Sequence, residues 1–236
     1  MSLLKSIRGF RFFLGKMRRH PVGLHHIKYF GNWQRSLQKG KSPLEDEVPW
    51  ITFESLVKLR SILRPGFVAF EFGGGGSSVF LSKYVKHLTT VEHDEKWFTF
   101  VADKMSALGR NNWTGRIIPP EAATSDKSDY TDPELFLSGD ENYRGLSFEK
   151  YAKSIDQFPD EHFDLVMVDG RARPSCIAHA LPKVKINGFL LIDNSERDYY
   201  LAKIDIESAG FVKFFNDFGP GPYMSDFWQT TIWQRK

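Results

Sequence analysis

The chain has 236 residues, 41% of them hydrophobic, which is enough for one domain with its own core plus a short extension. Its net charge of +3 conceals an asymmetry, because residues 1–44 hold ten Lys and Arg and no acid, while 45–236 hold 22 basic and 29 acidic residues, a net of −7. One cysteine, Cys176, excludes an internal disulfide framework and an all-thiolate metal site and points to the reducing cytoplasm, and no apolar run is long enough for a membrane span or a secretory signal.

The first predicted element is a basic amphipathic helix. Leu3, Ile7, Phe10, Leu14 and Met17 recur at steps of four and three and share one face, with Lys5, Arg8, Lys16, Arg18 and Arg19 mostly elsewhere. Such a helix either packs on its own domain or a second subunit, or attaches peripherally to an anionic membrane surface. Nucleic acid is disfavoured, since basic residues interleaved with aromatics do not continue past this arm. His25-His26 have no carboxylate or cysteine at ligand spacing, which argues against a metal there. The chain divides into this extension, 1–48, and a main domain, 49–236.

The main domain opens with a helix over Ile51–Ile62, ended by Pro65-Gly66. Strand-like runs then follow at Phe67–Phe72, His87–Glu92, Gly115–Pro119, Phe163–Asp169 and Gly188–Asp193. Helices are expected at Ser77–Tyr84, Glu95–Leu108, Ser147–Gln157 and Pro174–Val184. This alternation predicts an α/β protein with a parallel sheet covered on both faces. Pro120–Leu146 interrupts the rhythm with seven acids against Lys127 and Arg144, and a connection so long suits a substrate-covering loop. A helix is expected near Arg197–Ala209. Phe211–Asp217 and Phe227–Gln234 then read as two strands joined by Gly219-Pro220-Gly221-Pro222, a loop too short for a crossover, so they should pair antiparallel. Phe218, Tyr223, Phe227, Trp228 and Trp233 cluster around that loop as hairpin core, with one or two available to line an acceptor pocket.

Chemistry concentrates after the first strand, where Val-Ala-Phe-Glu-Phe-Gly-Gly-Gly-Gly (68–76) leads into Ser77 and Ser78. A buried strand feeding a side-chain-free turn and a helix is where an α/β sheet receives a nucleotide-like ligand. The dinucleotide fingerprint of an NAD-linked oxidoreductase fits poorly, because its third glycine position holds Ser78. Read from the acid, Glu71-x-Gly73-x-Gly75-x-Ser77 resembles the first motif of class I S-adenosylmethionine-dependent methyltransferases. In that family the glycines admit the amino-acid part of the cofactor, and the upstream carboxylate anchors its ammonium directly or through water. Glu92, closing the second strand about twenty residues on, suits the ribose hydroxyls in either cofactor class; the alternative is an exposed strand-end acid. Asp94 suits the cap of the next helix.

The terminal hairpin separates the two classes. The resemblance implies a Rossmann-like class I methyltransferase fold over roughly 50–236, a seven-stranded, mostly parallel sheet ending in an antiparallel hairpin. Pro49-Trp50-Ile51-Thr52, Val91-Glu92-His93-Asp94, Val168-Asp169-Gly170-Arg171 and Ile192-Asp193-Asn194-Ser195 together look like a group of bacterial methyltransferase-like proteins, which supplies no substrate. Asp169 with Asp193-Asn194 looks like the metal triad of catechol and caffeoyl-CoA type O-methyltransferases, where a magnesium-like ion binds the substrate hydroxyl. That family's lysine base is replaced here by Arg171 and Arg173, better suited to binding an anion than to taking a proton. Three roles for the cluster stay open: metal ligands; Asp169 as base with Asn194 as a polar wall and Arg171 clamping an anionic acceptor; or an Asp193 helix cap with an Arg171–Asp169 pair. The resemblance implies an enzyme methylating oxygen, or else nitrogen, of a small polar acceptor, an anionic one where Arg171 serves as a clamp. Rivals are an NAD-linked oxidoreductase, an aminopropyl transferase, and a non-catalytic nucleoside-binding module on the same fold.

Overall fold

The computed structural model describes residues 3–20, 22–124 and 128–236, with side chains at the N-terminus from residue 6 onward. The side chains of Leu3 and Lys5, and residue Lys127, therefore lie outside the described residues. In chain order the elements are α1 (Leu3–Arg19), α2 (Phe30–Ser36), α3 (Pro43–Asp46), α4 (Phe53–Ile62), β1 (Val68–Phe72), α5 (Gly76–Ser82), β2 (His87–Glu92), α6 (Glu95–Ala107) and β3 (Trp113–Ile117). They continue with β4 (Glu121–Ala122), β5 (Leu146–Ser147), α7 (Glu149–Ala152), β6 (Phe163–Val168), α8 (Arg173–Ala180), β7 (Val184–Asp193), β8 (Phe211–Pro220) and β9 (Phe227–Arg235). The main sheet has seven strands in the order β3-β2-β1-β6-β7-β9-β8. All pairs are parallel up to β7; β9 then enters antiparallel between β7 and β8, as the short Gly-Pro loop requires.

Side-chain alternation along the strands divides the core into two layers. Phe70, Phe72, Val166, Val168, Leu190 and Ile192 face one way, onto Tyr151, Cys176 and Ile177. Ala69, Leu165, Met167 and Leu191 face the other, onto Leu59, Phe80 and Leu81. Glu71 belongs by alternation to the second layer, which matters below. β1 and β6 are adjacent although other strands separate them in sequence, so the chain leaves β1 and β6 in opposite directions across the sheet. A crevice opens at that switch point, beyond the carboxyl ends of both strands.

The basic arm packs on the hairpin. Phe13, fully buried, lies 5.2 Å between ring centroids from both Trp33 and Phe227, and Trp33 Nε1 donates to the Met224 carbonyl at 2.9 Å. The packed stripe of α1 runs through Phe13 and Met17, whereas Ile7, expected on the apolar face, is 49% exposed. The helical pattern located the element; its buried face is set by Trp33 of the next helix and Phe227 of the distant hairpin. Among the described residues no helix is long and apolar enough to cross a membrane.

Two expected helices differ. Arg197–Ala209 forms only a 3-10 turn at Asp198–Tyr200 followed by turns, because Asp205 binds the amide and hydroxyl of Ser208, a local alternative to the helical ladder. Ser147–Gln157 is helical over Glu149–Ala152 and continues as a 3-10 turn over Lys153–Gln157. The acidic connection is pinned at its base by β4 against β5, and Phe136 within it is buried.

Candidate functional site

The bend after β1 is made of backbone in tight quarters. Gly73 has φ +92°, and a Cβ there would come within 2.9 Å of the Gly170 backbone, so the two chain exits touch through glycines. A Cβ on Gly170 would collide with the Tyr151 hydroxyl, and one on Gly76 with the carbonyl oxygens of Pro43 and Val48. Gly75, by contrast, is extended and has room, its nearest neighbour being Trp97 at 3.8 Å. Sequence reasoning chose Gly73 and Gly75; the steric requirement falls on Gly73, Gly76 and Gly170.

Behind this bend lies Glu71, fully buried and outside the cleft lining. Its Oε2 accepts from Ser78 Oγ at 2.5 Å and Thr90 Oγ1 at 2.9 Å, and Ser78 Oγ in turn accepts from the Gly75 amide at 3.0 Å. Glu71 Oε1 has no hydrogen-bond partner among the described residues. Burial pushes the carboxyl up to about 7, against the pull of these hydroxyls. Glu71 therefore grips the bend through Ser78.

Glu92 occupies the rim of the cleft. Its Oε2 accepts from the Gly74 amide at 2.9 Å, and its Oε1 accepts from the amides of His93 at 2.7 Å and Asp94 at 2.9 Å. Burial opposes its charge, but the His93 ring, 2.6 Å away, and the amides outweigh it and hold Glu92 below the usual carboxylate range. His93 is fixed from its other side by the Tyr143 hydroxyl at 2.7 Å, which ties the acidic connection to the rim. Asp94 caps α6, accepting from the Trp97 amide at 2.8 Å, and Trp97 Nε1 donates to the Gly74 carbonyl at 2.7 Å.

The facing wall is organised by Arg173, which the sequence names beside Arg171 only as a binder of anions. Its guanidinium, buried, donates from Nε to the Gly170 carbonyl at 3.0 Å, from Nη2 to Asp169 Oδ1 at 2.8 Å, and from Nη1 to the Asp193 carbonyl. It thus staples the ends of β6 and β7. The pair predicted between Arg171 and Asp169 is replaced by Arg173–Asp169, because α8 begins at Arg173 and turns that side chain inward. Arg171 reaches outward instead, 3.3 Å from Asp140 and over the Tyr143 ring at 5.3 Å. The available signal was its place directly before Pro174, where a helix starts.

Asp193 is buried, and its Oδ1 accepts from Trp228 Nε1 at 3.0 Å and Thr230 Oγ1 at 2.5 Å. Burial, reinforced by the charge of Asp169, pushes its carboxyl up to about 8. Burial also raises Asp169, here opposed by Arg173 and Arg171. Asn194 takes φ +51°, the left-handed region that asparagine tolerates, and its carbonyl accepts from the Arg197 amide at 3.1 Å. Asp169, Arg171, Asp193, Asn194, Gly73, Gly75, Ser77 and Glu92 all line one cleft of about 700 Å³, a volume typical of small-ligand sites, and Phe227 and Trp228 of the hairpin join them.

No protein-family model matches the sequence, and no curated protein matches it either. Solved structures do. A Klebsiella pneumoniae protein assigned as an O-methyltransferase superposes with a TM-score of 0.52 at 13% identity, over 98% of this chain and 99% of that one. A Streptococcus mutans protein assigned as a methyltransferase, solved with S-adenosylhomocysteine, gives 0.51 at 14% identity over 82% and 98%. A Streptococcus thermophilus rRNA methylase gives 0.51 at 14% over 77% and 94%. The chain has the Rossmann-like class I methyltransferase fold, with its antiparallel hairpin at the end of a mostly parallel sheet.

Proposed function

We propose that the protein is an S-adenosylmethionine-dependent methyltransferase acting on an oxygen of a small polar acceptor. The observation that carries this reading is the pairing, across one cleft, of a glycine bend with an ionised Glu92 on one side and the Asp169–Arg173–Asp193 wall on the other. The cleft fits the cofactor in kind. Gly73 leaves its β-carbon space to the opposite backbone, Glu92 offers acceptors for ribose hydroxyls, and Gly75 and Ser77 would border the amino-acid part. Glu71, lacking access to the cleft, would act as a positioning residue through Ser78.

S-adenosylmethionine supplies a methyl group on a sulfonium, already a good electrophile, so the chain's tasks are to orient the acceptor, exclude water and remove the acceptor proton. Asp169 is the base in this reading: it lines the cleft, burial raises its proton affinity, and Arg173 holds one of its oxygens in place. Arg171 would hold an anionic group of the acceptor by exchanging its half-buried contact with Asp140.

The wall suits a magnesium-like ion poorly. Oδ1 of Asp169 is committed to a guanidinium and Oδ1 of Asp193 to two donors, burial favours a protonated Asp193, and Arg173 already brings a full positive charge between the strand ends. No step therefore runs through a divalent ion. A thermal-shift screen of the whole chain against S-adenosylhomocysteine, NADH and magnesium tests the reading. A rise with the first alone is expected, and a rise with NADH but not S-adenosylhomocysteine would overturn it.

A further inference from the structure

A second cluster lies where the arm meets the hairpin. His25 and His26 sit in a 3-10 turn, Leu24–Tyr29, and their rings lie 4.0 Å apart between centroids, tilted at 39°. The carboxylate missing at ligand spacing in sequence arrives from β8: Asp217 Oδ1 lies 2.8 Å from His26 Nε2, across 191 positions of chain. One ligand atom from each of His25, His26 and Asp217 lies within 4.8 Å of the others.

The polarity of these contacts is informative. His26 Nδ1 lies 3.1 Å from the Gly23 carbonyl, an acceptor, so that nitrogen carries the proton. Nε2 faces a carboxylate oxygen at hydrogen-bond distance, so this pair shares a positive species, a proton or a metal ion. A proton would serve that one pair. It would leave Asp217 Oδ2 unexplained, because this oxygen is also buried and has no hydrogen-bond partner among the described residues. It would also leave unexplained the adjacent His25 ring. A backbone carbonyl fixing the far nitrogen of an imidazole is the usual support for a metal-ligating histidine. Space is reserved as well, since a Cβ at Gly219 would collide with His26 Nε2 and come within 3.2 Å of Asp217 Oδ2. Glu54, salt-bridged to Lys28 at 2.6 Å, adds to the negative field on His26.

We propose that His25, His26 and Asp217 bind one divalent transition-metal ion of the zinc class. Two imidazoles and a carboxylate suit such an ion, and the exposure of His25 leaves a fourth position open to water. The ion would bolt the arm to β8. Asp217 pairs with Thr230, and Thr230 with Asp193, so the three stand in a row across adjacent strands and the ion would lie about 10 Å behind the cleft wall. The inference does not depend on the methyl-transfer reading.

The test uses the untagged full chain, stripped with chelator and titrated with zinc sulfate by calorimetry. One zinc per chain is expected, with a rise in Tm, and His25→Ala and Asp217→Asn should each weaken binding by about tenfold or more, while His87→Ala leaves it unchanged. Cobalt(II) added to the wild-type chain gives a readout needing no variant: visible d–d bands of a low-coordinate nitrogen and oxygen site. Absence of one-to-one zinc uptake and of cobalt bands in the wild type, or zinc affinity undiminished in both folded variants, would overturn the proposal.

Discussion

The glycine bend and the junction of arm and hairpin border the same cleft and are built in opposite ways. The bend is local: Glu71, Gly73, Gly75 and Ser78 fall within eight residues, and their geometry is set by missing side chains and by one buried acid. The junction joins residues 191 positions apart, as in Trp33 to Met224 and His26 to Asp217, and consists of aromatic rings and buried polar pairs. One wall of the site is thus specified by backbone freedom and the other by side-chain packing. Substitutions should therefore fail in different ways on the two sides.

The largest effects separate these modes. Phe13→Ala removes a fully buried ring from the junction and should cost about 3–5 kcal/mol in denaturant unfolding. Cleft affinity for S-adenosylhomocysteine should persist in whatever fraction remains folded. Arg173→Ala leaves Asp169 without its cation in a buried setting and should cost a similar ~3–5 kcal/mol. Arg173→Lys should rescue little, since one ammonium cannot reproduce the fork that reaches Gly170, Asp169 and Asp193. If the lysine variant matched the wild type in stability and turnover, the stapled wall would be the wrong picture.

Titration sharpens the comparison next. Glu71, pushed to about 7, and Asp193, pushed to about 8, bind protons in the folded chain that the unfolded chain has released. Stability should thus be greatest near the ordinary carboxylate range and fall as pH rises to those values; for Glu71 the full loss is on the order of 3 kcal/mol. Glu92, lowered, works in the other direction and loses its contribution only as pH falls below the ordinary range. Denaturant midpoints at about pH 5 and about pH 9 should differ less in Glu71→Gln than in the wild type. An equal difference in both would remove Glu71 as the source.

The smallest effect is the most diagnostic of the bend. Gly75→Ala meets only ordinary contacts and should change stability by less than about 1 kcal/mol, whereas Gly73→Ala combines φ +92° with a contact under 3 Å to Gly170 and should abolish ligand binding. Equal tolerance of both by calorimetry would mean that the bend is looser than described.

The same contrast explains what was legible in the sequence. Strand periodicity, the glycine run, the acid ending β2 and the short Gly-Pro connection are local signals, and they located the sheet, the crevice and the hairpin. Arg173 was passed over in favour of Arg171 because which of two neighbouring arginines turns inward depends on where α8 starts. The buried face of α1 and the partnership of His26 with Asp217 depend on tertiary contacts that no local spacing encodes. Glu71, expected from the motif to reach the cofactor's ammonium, instead meets Ser78 and Thr90 behind the bend, because strand alternation places it on the side of α5.

In the proposed function the bend and Glu92 together cradle an adenosyl ligand. Isothermal calorimetry with S-adenosylhomocysteine on the wild type and Glu92→Ala tests it most directly. One binding site per wild-type chain is expected, with a loss of about tenfold or more in affinity for the folded variant. Equal affinity in the two proteins, or no binding to the wild type, would contradict it.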